Sequence, residues 1–196
     1  IIVVGAGAAG LWAAATAARA GRRVLVLEKT PRAGTKVLAS GGTRCNLTTT
    51  LGPTQAARLF GAAEAFVLPA LRALPPSAVR ARFHALGVPT VEEEALEKVF
   101  PRSQRAVDVR DALLRDAAGA RILYDAPVTG IAPVEDGWIV HANRPFRCRK
   151  LLLCPGGASY PRTGTTGDGY AWLAGLDLAV VPPVPALVPL ASDAPW

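Results

Sequence analysis

The sequence contains no methionine, three cysteines and two histidines among its 196 residues. It has no uninterrupted apolar run of the roughly 18 residues that a membrane-spanning helix needs, and no signal peptide is visible. An odd cysteine count without a CxxC pair argues against a disulfide framework and against a zinc site. Two histidines support neither a Ser-His-Asp set nor a metal-ligand spacing. We therefore expect no metal, no membrane association and a reducing, cytoplasmic setting.

Acidic residues are also in the minority, with 15 Asp and Glu against 22 Lys and Arg and a formal net charge of +7. The basic residues are spread along the whole chain, and their tightest group is formed by Arg144, Arg147, Arg149 and Lys150. No aromatic residues interleave with the arginines, and no nucleic-acid-binding module is recognisable. We interpret the charge as a solvated surface and expect no nucleic-acid partner. A protein that acts on RNA is the weaker alternative.

A β-α-β unit occupies the first 28 residues. Residues 1–4 and 24–27 are apolar and predict two strands buried on both faces, as in a parallel sheet. Between them, residues 11–20 predict a helix that Gly21 closes. The apolar residues 151–154 predict a further buried strand.

The rest of the chain predicts helices and one small antiparallel sheet. Residues 30–54 and 158–169 are rich in Gly and Thr and predict two long loops, the second followed by a short helix. Helices are expected over 56–74, with a break at Pro69, and over 77–86 and 107–118. Residues 121–150 alternate and are punctuated by proline and glycine, which indicates a meander. The fold class predicted is α/β, Rossmann-like, with a parallel sheet and a small antiparallel meander.

A GxGxxG turn connects the first strand to the first helix, and an acid ends the second strand. Gly5 allows the tight turn, Gly7 lets the backbone approach a pyrophosphate, and Gly10 lets the helix pack closely. The helix N-terminus supplies free N–H groups and a partial positive charge. Glu28 is placed to accept a hydrogen bond from a ribose hydroxyl. The pattern predicts a dinucleotide site, and an Ala/Gly-rich helix start without a ligand is the alternative.

The acid at Glu28 disfavours the 2′-phosphate of NADP, so FAD and NAD remain. Lys29 is followed by a long Gly-rich loop and not by another β-α repeat. That arrangement suits the extended FAD molecule, whose flavin end needs a cradle beyond the first unit. FAD is therefore favoured over NAD.

Several segments resemble the motifs of one known family. Residues 34–36 and 40–48 (Gly-Thr-Lys, then Ser-Gly-Gly-Thr-Arg-Cys-Asn-Leu-Thr) resemble G-R-K-x-x-x-S-G-G-G-R-C-N-x-T. Residues 99–106 resemble V-F-P-x-S-x-x-A, and residues 156–170 resemble G-G-x-S-Y-P-x-T-G-S-T-G-D-G-Y. These are motifs of a bacterial flavoprotein family described as BaiN-like NAD(P)/FAD-dependent oxidoreductases or aminoacetone oxidase family FAD-binding enzymes. The resemblance covers essentially the whole chain.

The resemblance implies an FAD-dependent oxidoreductase that passes a hydride or electron pair through bound FAD to or from a small-molecule substrate. NAD(P)H is one option for the donor. Since the family's members are longer, residues 1–181 would be the FAD-binding domain, with the meander at about 121–150. Residues 182–196 would begin a linker to a substrate-side domain. Thr35, Thr43 and Pro155 depart from the motifs, so a truncated, non-catalytic dinucleotide-binding module is the alternative.

The predicted cofactor-binding residues come from the glycine-rich turn, the end of the second strand and the two Gly/Thr-rich loops. Arg44 is expected either to pair with a phosphate or to form a surface ion pair. Cys45 is expected to be a small buried residue, with a redox thiol as the alternative. Asp168 is expected to accept from a ribityl hydroxyl or to lie near the flavin, with an ordinary turn aspartate as the alternative. No catalytic residue and no oligomeric state is predicted. The full set is Gly5, Ala6, Gly7, Ala8, Ala9, Gly10, Glu28, Lys29, Lys36, Ser40, Gly41, Gly42, Arg44, Cys45, Asn46, Val128, Gly156, Gly157 and Asp168.

Overall fold

The computed structural model describes residues 1–185, which form three small sheets and seven helices in the part described. The elements in chain order are β1 (Ile2–Val4), α1 (Ala8–Arg19), β2 (Leu25–Leu27), α2 (Thr35–Ala39), β3 (Thr48–Thr49), α3 (Pro53–Arg58), α4 (Glu64–Ala73), α5 (Pro76–Ala85), β4 (Thr90–Glu93), β5 (Lys98–Pro101), α6 (Ala106–Asp116), β6 (Arg121–Leu123), β7 (Gly130–Val134), β8 (Gly137–His141), β9 (Pro145–Cys148), β10 (Leu151–Leu153) and α7 (Asp168–Ala174).

A four-stranded parallel sheet in the order β10-β1-β2-β6 forms the centre of the fold. All three residues of β1 are buried, because layers cover both faces of the strand. Val3 and Val26 face the layer formed by α1 and α6, where they join Leu11 and Val109. The alternate residues of the strands face the meander and α7. The predicted α/β fold with a parallel sheet and a small meander is confirmed.

Two predictions about the middle of the chain are wrong. The meander consists of β7, β8 and β9 only, whereas residues 121–123 pair with β2 as an edge strand of the parallel sheet. The helix predicted over 56–74 is two helices, and Pro69 lies inside the second without breaking it. The chain turns instead at Gly61, which has a left-handed backbone (φ 54°). Phe66 of α4 is 86% exposed, and α4 contributes no buried residue.

A third sheet, in the order β3-β5-β4, has no counterpart in the sequence prediction. Its central strand β5 buries Val99 and Phe100. The strand β3 belongs to the first Gly/Thr-rich loop and pairs antiparallel with β5, Thr48 lying opposite Val99. The sheet therefore anchors the end of that loop.

Within residues 1–185, no helix is long and apolar enough to cross a membrane. The same residues contain no group of three or more His, Cys, Asp or Glu side chains placed to hold a metal ion. The linker predicted over 182–196 lies mostly outside the described residues. Its boundary at residue 181 stays a prediction.

The crossing of α1 over β1 supplies a test of the fold. A Cβ atom added to Gly10 would lie 1.9 Å from the carbonyl oxygen of Gly5, so α1 would have to move away from the turn. We expect Gly10→Ala to lower the free energy of unfolding by about 1–3 kcal/mol through overpacking. Gly7→Ala is the control, because a Cβ there meets nothing within 4 Å and φ is −78°. Equal urea midpoints for Gly10→Ala and the parent would contradict this packing.

Candidate functional site

A cleft of about 500 Å³ opens where β1, β2 and β10 end. Val4 and Gly5 border it after β1, Glu28 after β2, and Cys154 after β10. In open parallel sheets, ligands bind in such crevices beyond the carboxyl ends of the strands. The volume lies in the range of small-molecule and cofactor sites.

The glycine-rich turn forms one wall of the cleft and presents backbone amides to it. The amide of Gly5 donates to Leu27 O at 2.8 Å, and its φ of 93° is one that only glycine adopts readily. The first helical hydrogen bond runs from Leu11 N to Gly7 O at 2.9 Å, so the amides that precede it have no acceptor inside the helix. Gly7, Ala8 and Ala9 line the cleft. A helix N-terminus with free amides favours an anionic group, and the predicted pyrophosphate contact stays a prediction.

Glu28 follows β2, borders the cleft beside the glycine-rich turn and is 8% exposed. Its Oε2 accepts from the amide of Ala6 at 2.7 Å. Its Oε1 accepts from the amide of Thr30 at 2.9 Å and from Thr30 Oγ1 at 2.7 Å. Oε2 retains a second lone pair, since a carboxylate oxygen accepts two hydrogen bonds. Glu28 therefore positions the glycine-rich turn and keeps capacity for the predicted ribose hydroxyl, a contact that stays a prediction.

Lys29 and Lys36 join the two Gly/Thr-rich loops. Lys29 Nζ donates to Asp168 Oδ2 and to Thr166 Oγ1, both at 2.7 Å. The hydrogen bond from Lys29 lowers the pKa of Asp168 below its ordinary value. Lys36 Nζ donates to Ser159 Oγ at 2.6 Å and to its carbonyl at 3.1 Å. The cleft is therefore closed on one side by links between residues far apart in sequence.

The loop at 40–46 is folded by a run of left-handed residues. Gly41, Gly42, Thr43 and Cys45 all have φ between 56° and 70°. The amide of Ala106, the first residue of α6, donates to Thr43 O at 2.9 Å. Threonine therefore takes the left-handed conformation at the position where the family motif has glycine, at a cost in backbone strain.

Arg44 lies outside the cleft, in the surface ion pair that the sequence left open as an alternative. Its Nη1 donates to Glu93 and, at 3.2 Å, to Gln104 Oε1. The guanidinium also lies 4.1 Å from the centre of the Phe100 ring. Arg44 joins the 40–46 loop to β4 and β5.

Two of the cysteines line the cleft as apolar groups. Cys45 is 7% exposed, and burial raises its pKa, with a hydrogen bond from Ser40 opposing the rise. Burial also raises the pKa of Cys154. Both thiols therefore stay protonated at neutral pH and are weak nucleophiles. Pro155, a departure from the family motif, packs against Gly169, whose added Cβ would lie 2.9 Å from Pro155 Cγ.

Most of the predicted site residues line the cleft, and six do not. Those that line it are Gly5, Gly7, Ala8, Ala9, Glu28, Lys29, Lys36, Ser40, Cys45, Asn46, Val128, Gly156 and Asp168. Those that do not are Ala6, Gly10, Gly41, Gly42, Arg44 and Gly157. Ala6 is the donor to Glu28 and Gly10 is the close-packing glycine, so both act on the shape of the turn.

The sequence did not predict the apolar wall of the cleft. Trp12 of α1 lies with its ring 5.9 Å from that of Phe83 on α5, and both line the cleft with Val79. Val109 and Leu113 of α6 continue this wall. The helices α5 and α6 each contribute a pair four residues apart, and that spacing puts both side chains on one face. The spacing is visible in the sequence, but which neighbour the face meets is not.

A GxGxxG turn, an acid at the end of β2 and a cleft at the carboxyl edge of a parallel sheet define a dinucleotide-binding domain of the Rossmann type. The chain belongs to the HI0933-like protein Rossmann domain family, whose sequence profile matches residues 1–185. This confirms the resemblance, and FAD is the cofactor that the family supports.

Two curated relatives are each 29% identical to the chain. One is the ribosomal RNA dihydrouridine synthase of Haemophilus influenzae, matched over 96% of this chain and 48% of its own length. Another is the 3-dehydro-bile acid delta(4,6)-reductase of Clostridium scindens, matched over 96% of this chain and 46% of its own length. The chain therefore spans about half the length of these relatives.

Among solved structures, the 3-ketosteroid-delta4-(5alpha)-dehydrogenase of Rhodococcus jostii has a TM-score of 0.61 at 20% identity. The match covers 81% of this chain and 46% of that protein. The likeness shows that the two share a fold.

The bond from Ala6 to Glu28 supplies a test of the site. In Glu28→Gln, the amide group faces either the Ala6 or the Thr30 donor, which leaves one buried N–H without an acceptor. We expect a loss of about 1–3 kcal/mol in unfolding free energy, measured in urea, together with weaker FAD uptake. Glu135→Gln, at an exposed glutamate in the turn between β7 and β8, is the matched control. A Glu28→Gln protein as stable as that control would show that the bond does not hold the turn.

Proposed function

We propose that this chain is the FAD-binding part of an oxidoreductase that adds a hydride to a ring double bond conjugated with a carbonyl group. The observation that carries the proposal is the glycine-rich turn, where Gly7, Ala8 and Ala9 line the cleft together with the buried carboxylate of Glu28. That arrangement fits an adenosine diphosphate moiety.

The proposed reaction comes from the names of the two relatives. A dihydrouridine is a uridine whose ring double bond is saturated, and a delta(4,6)-reductase saturates ring double bonds. Both names describe the reduction of an unsaturated ring that carries a carbonyl. The substrates differ, one being a nucleic acid and the other a small molecule, so the names alone do not choose between them.

The residues of this chain would hold the cofactor along the cleft. The amides of the glycine-rich turn would bind the pyrophosphate, Glu28 the ribose, and Val128, packed in the same cluster as Leu27, the adenylate end. Asn46 and Asp168 also line the cleft, and we assign them to the flavin end. Bound FAD supplies the hydride chemistry, and the protein supplies position and electrostatics.

A reduced nicotinamide is proposed as the electron donor, and the cytoplasm as the cellular compartment. Residues 1–185 hold one GxGxxG turn, which FAD would occupy, so a reduced nicotinamide would deliver its hydride from outside that turn. The three cysteines are free. Free thiols suit a reducing cytoplasm.

Flavin uptake separates this proposal from a non-binding fold. Gly7→Leu places a side chain where the pyrophosphate would lie, so we expect this variant to take up no FAD while the parent does. FAD uptake is measured from the flavin absorbance at about 450 nm. Gly52→Leu is the matched control, because Gly52 is also an N-cap glycine with an extended backbone, and a Cβ there makes one ordinary contact, 3.8 Å from Gln55 Oε1.

The same FAD-loaded protein tests the reaction. After reduction with dithionite without oxygen, a ring enone or a uridine-containing RNA should restore the flavin absorbance. Equal FAD uptake by Gly7→Leu and the parent would refute the binding mode. Reoxidation by oxygen but by neither unsaturated substrate would refute the reaction.

A further inference from the structure

Four basic residues meet at the edge of the parallel sheet opposite the cleft. We call Arg22, Arg23, Arg121 and Lys150 the basic edge. Lys150 precedes β10, the two arginines 22 and 23 precede β2, and Arg121 begins β6. Because all these strands are parallel, their amino ends lie side by side.

Backbone hydrogen bonds fix this arrangement. The amide of Ile2 donates to Lys150 O at 3.0 Å, the Ile1 nitrogen to Arg23 O at 2.8 Å, and the amide of Arg121 to Val24 O at 3.0 Å. Neighbouring strands lie about 4.8 Å apart, so Lys150 and Arg121, three strand spacings apart, span about 14 Å. The basic edge therefore places basic residues at the amino ends of three of the four strands, β10, β2 and β6.

The positive charge of this row is not compensated locally. All four side chains belong to exposed residues, and none forms an ion pair with any residue in the described part of the chain. The acid at this end of the fold, Asp116, is already shared by Arg19 and Arg82. The next acids, in the turn that carries Glu135 and Asp136, form no ion pair with the described basic residues.

The row suits a polyanion better than a small ligand. It lies on the outside of the sheet and lines no described cavity, so it offers no enclosure for a metabolite. Exposed guanidinium groups pair well with phosphates, which they contact with two parallel hydrogen bonds. A repeating phosphate backbone neutralises several such cations at once and releases their counterions.

We propose that the basic edge binds the phosphate backbone of RNA. The proposal rests on the proposed function for its biological sense, since one relative's name places the unsaturated ring in ribosomal RNA. The strands of the parallel sheet are three residues long, about 10 Å, and this length separates the basic edge from the ends of the strands that border the cleft. The sequence predicted no nucleic-acid partner because these cations are scattered along the chain, and only the parallel sheet aligns them.

The test compares two variants with the same loss of charge. The first replaces the four residues of the basic edge by glutamine. The control makes the same replacement at three arginines and one lysine that are exposed, unpaired within the described residues and remote from this edge: Arg58, Arg72, Lys98 and Arg102. Binding of a fluorescein-labelled RNA stem-loop is followed by anisotropy across a series of KCl concentrations, with FAD uptake and thermal unfolding recorded for every protein.

We expect the basic-edge variant to bind the RNA at least about tenfold more weakly, with a shallower dependence on salt, while the control stays within about twofold of the parent. Equal losses in both variants, or no loss in the first, would overturn the proposal. So would binding to phosphatidylserine vesicles without binding to RNA. RNA binding at this edge by a protein that takes up no FAD would refute the proposed function and leave this proposal standing.

If the glutamine variant fails to unfold cooperatively, Lys150→Gln alone is compared with Lys98→Gln. The proposal is supported if Lys150→Gln binds the RNA more weakly than the parent and Lys98→Gln does not. Equal affinities of the two variants contradict it.

Discussion

The hydrogen bond from the amide of Ala6 to the carboxylate of Glu28 is the contact on which the site depends. It joins the end of β2 to the turn after β1 and is buried at both ends. Without it, the turn would have a free buried donor and the carboxylate would have lost one of its few partners, a costly combination in a region of low dielectric. The same bond sets the distance between the free amides of α1 and the acid.

The rest of the cleft is assembled by contacts between segments distant in sequence. Lys29 reaches Asp168 and Thr166, and Lys36 reaches Ser159, so the end of β2 and the start of α2 hold the loop before α7. The 40–46 loop is held from the other side by the first residue of α6 and by the ion pair of Arg44. Each loop of the site is therefore positioned by hydrogen bonds and ion pairs, while the sheet beneath is positioned by apolar side chains.

The parts of the fold that could be predicted are those that depend on residues close together in the sequence. The β-α-β unit and β10 follow from apolar runs and from the spacing of Gly5, Gly7 and Gly10. Residues 121–123 were assigned to the meander because three residues do not show which strand they pair with. The third sheet was missed because β3 lies within a Gly/Thr-rich loop.

In the site, too, local sequence signals identify some residues, whereas their partners depend on the tertiary structure. Glu28 was predicted from its place after a strand, but its bond to Ala6 depends on how the turn folds. Arg44 had two possible roles in the sequence, and the choice depends on Glu93, 49 residues further along. Partners of this kind are determined by tertiary structure, as is the alignment of the basic edge.

The central claim is that the cleft binds the adenylate half of FAD. Competition against FAD-loaded protein tests it most directly, because ADP contains the pyrophosphate and ribose proposed to contact the turn and Glu28, and FMN lacks the adenylate. We predict that ADP displaces FAD and that FMN at the same concentration does not. The displacement is measured as the return of free-flavin fluorescence. Displacement by FMN, with FAD left bound in the presence of ADP, would contradict the account.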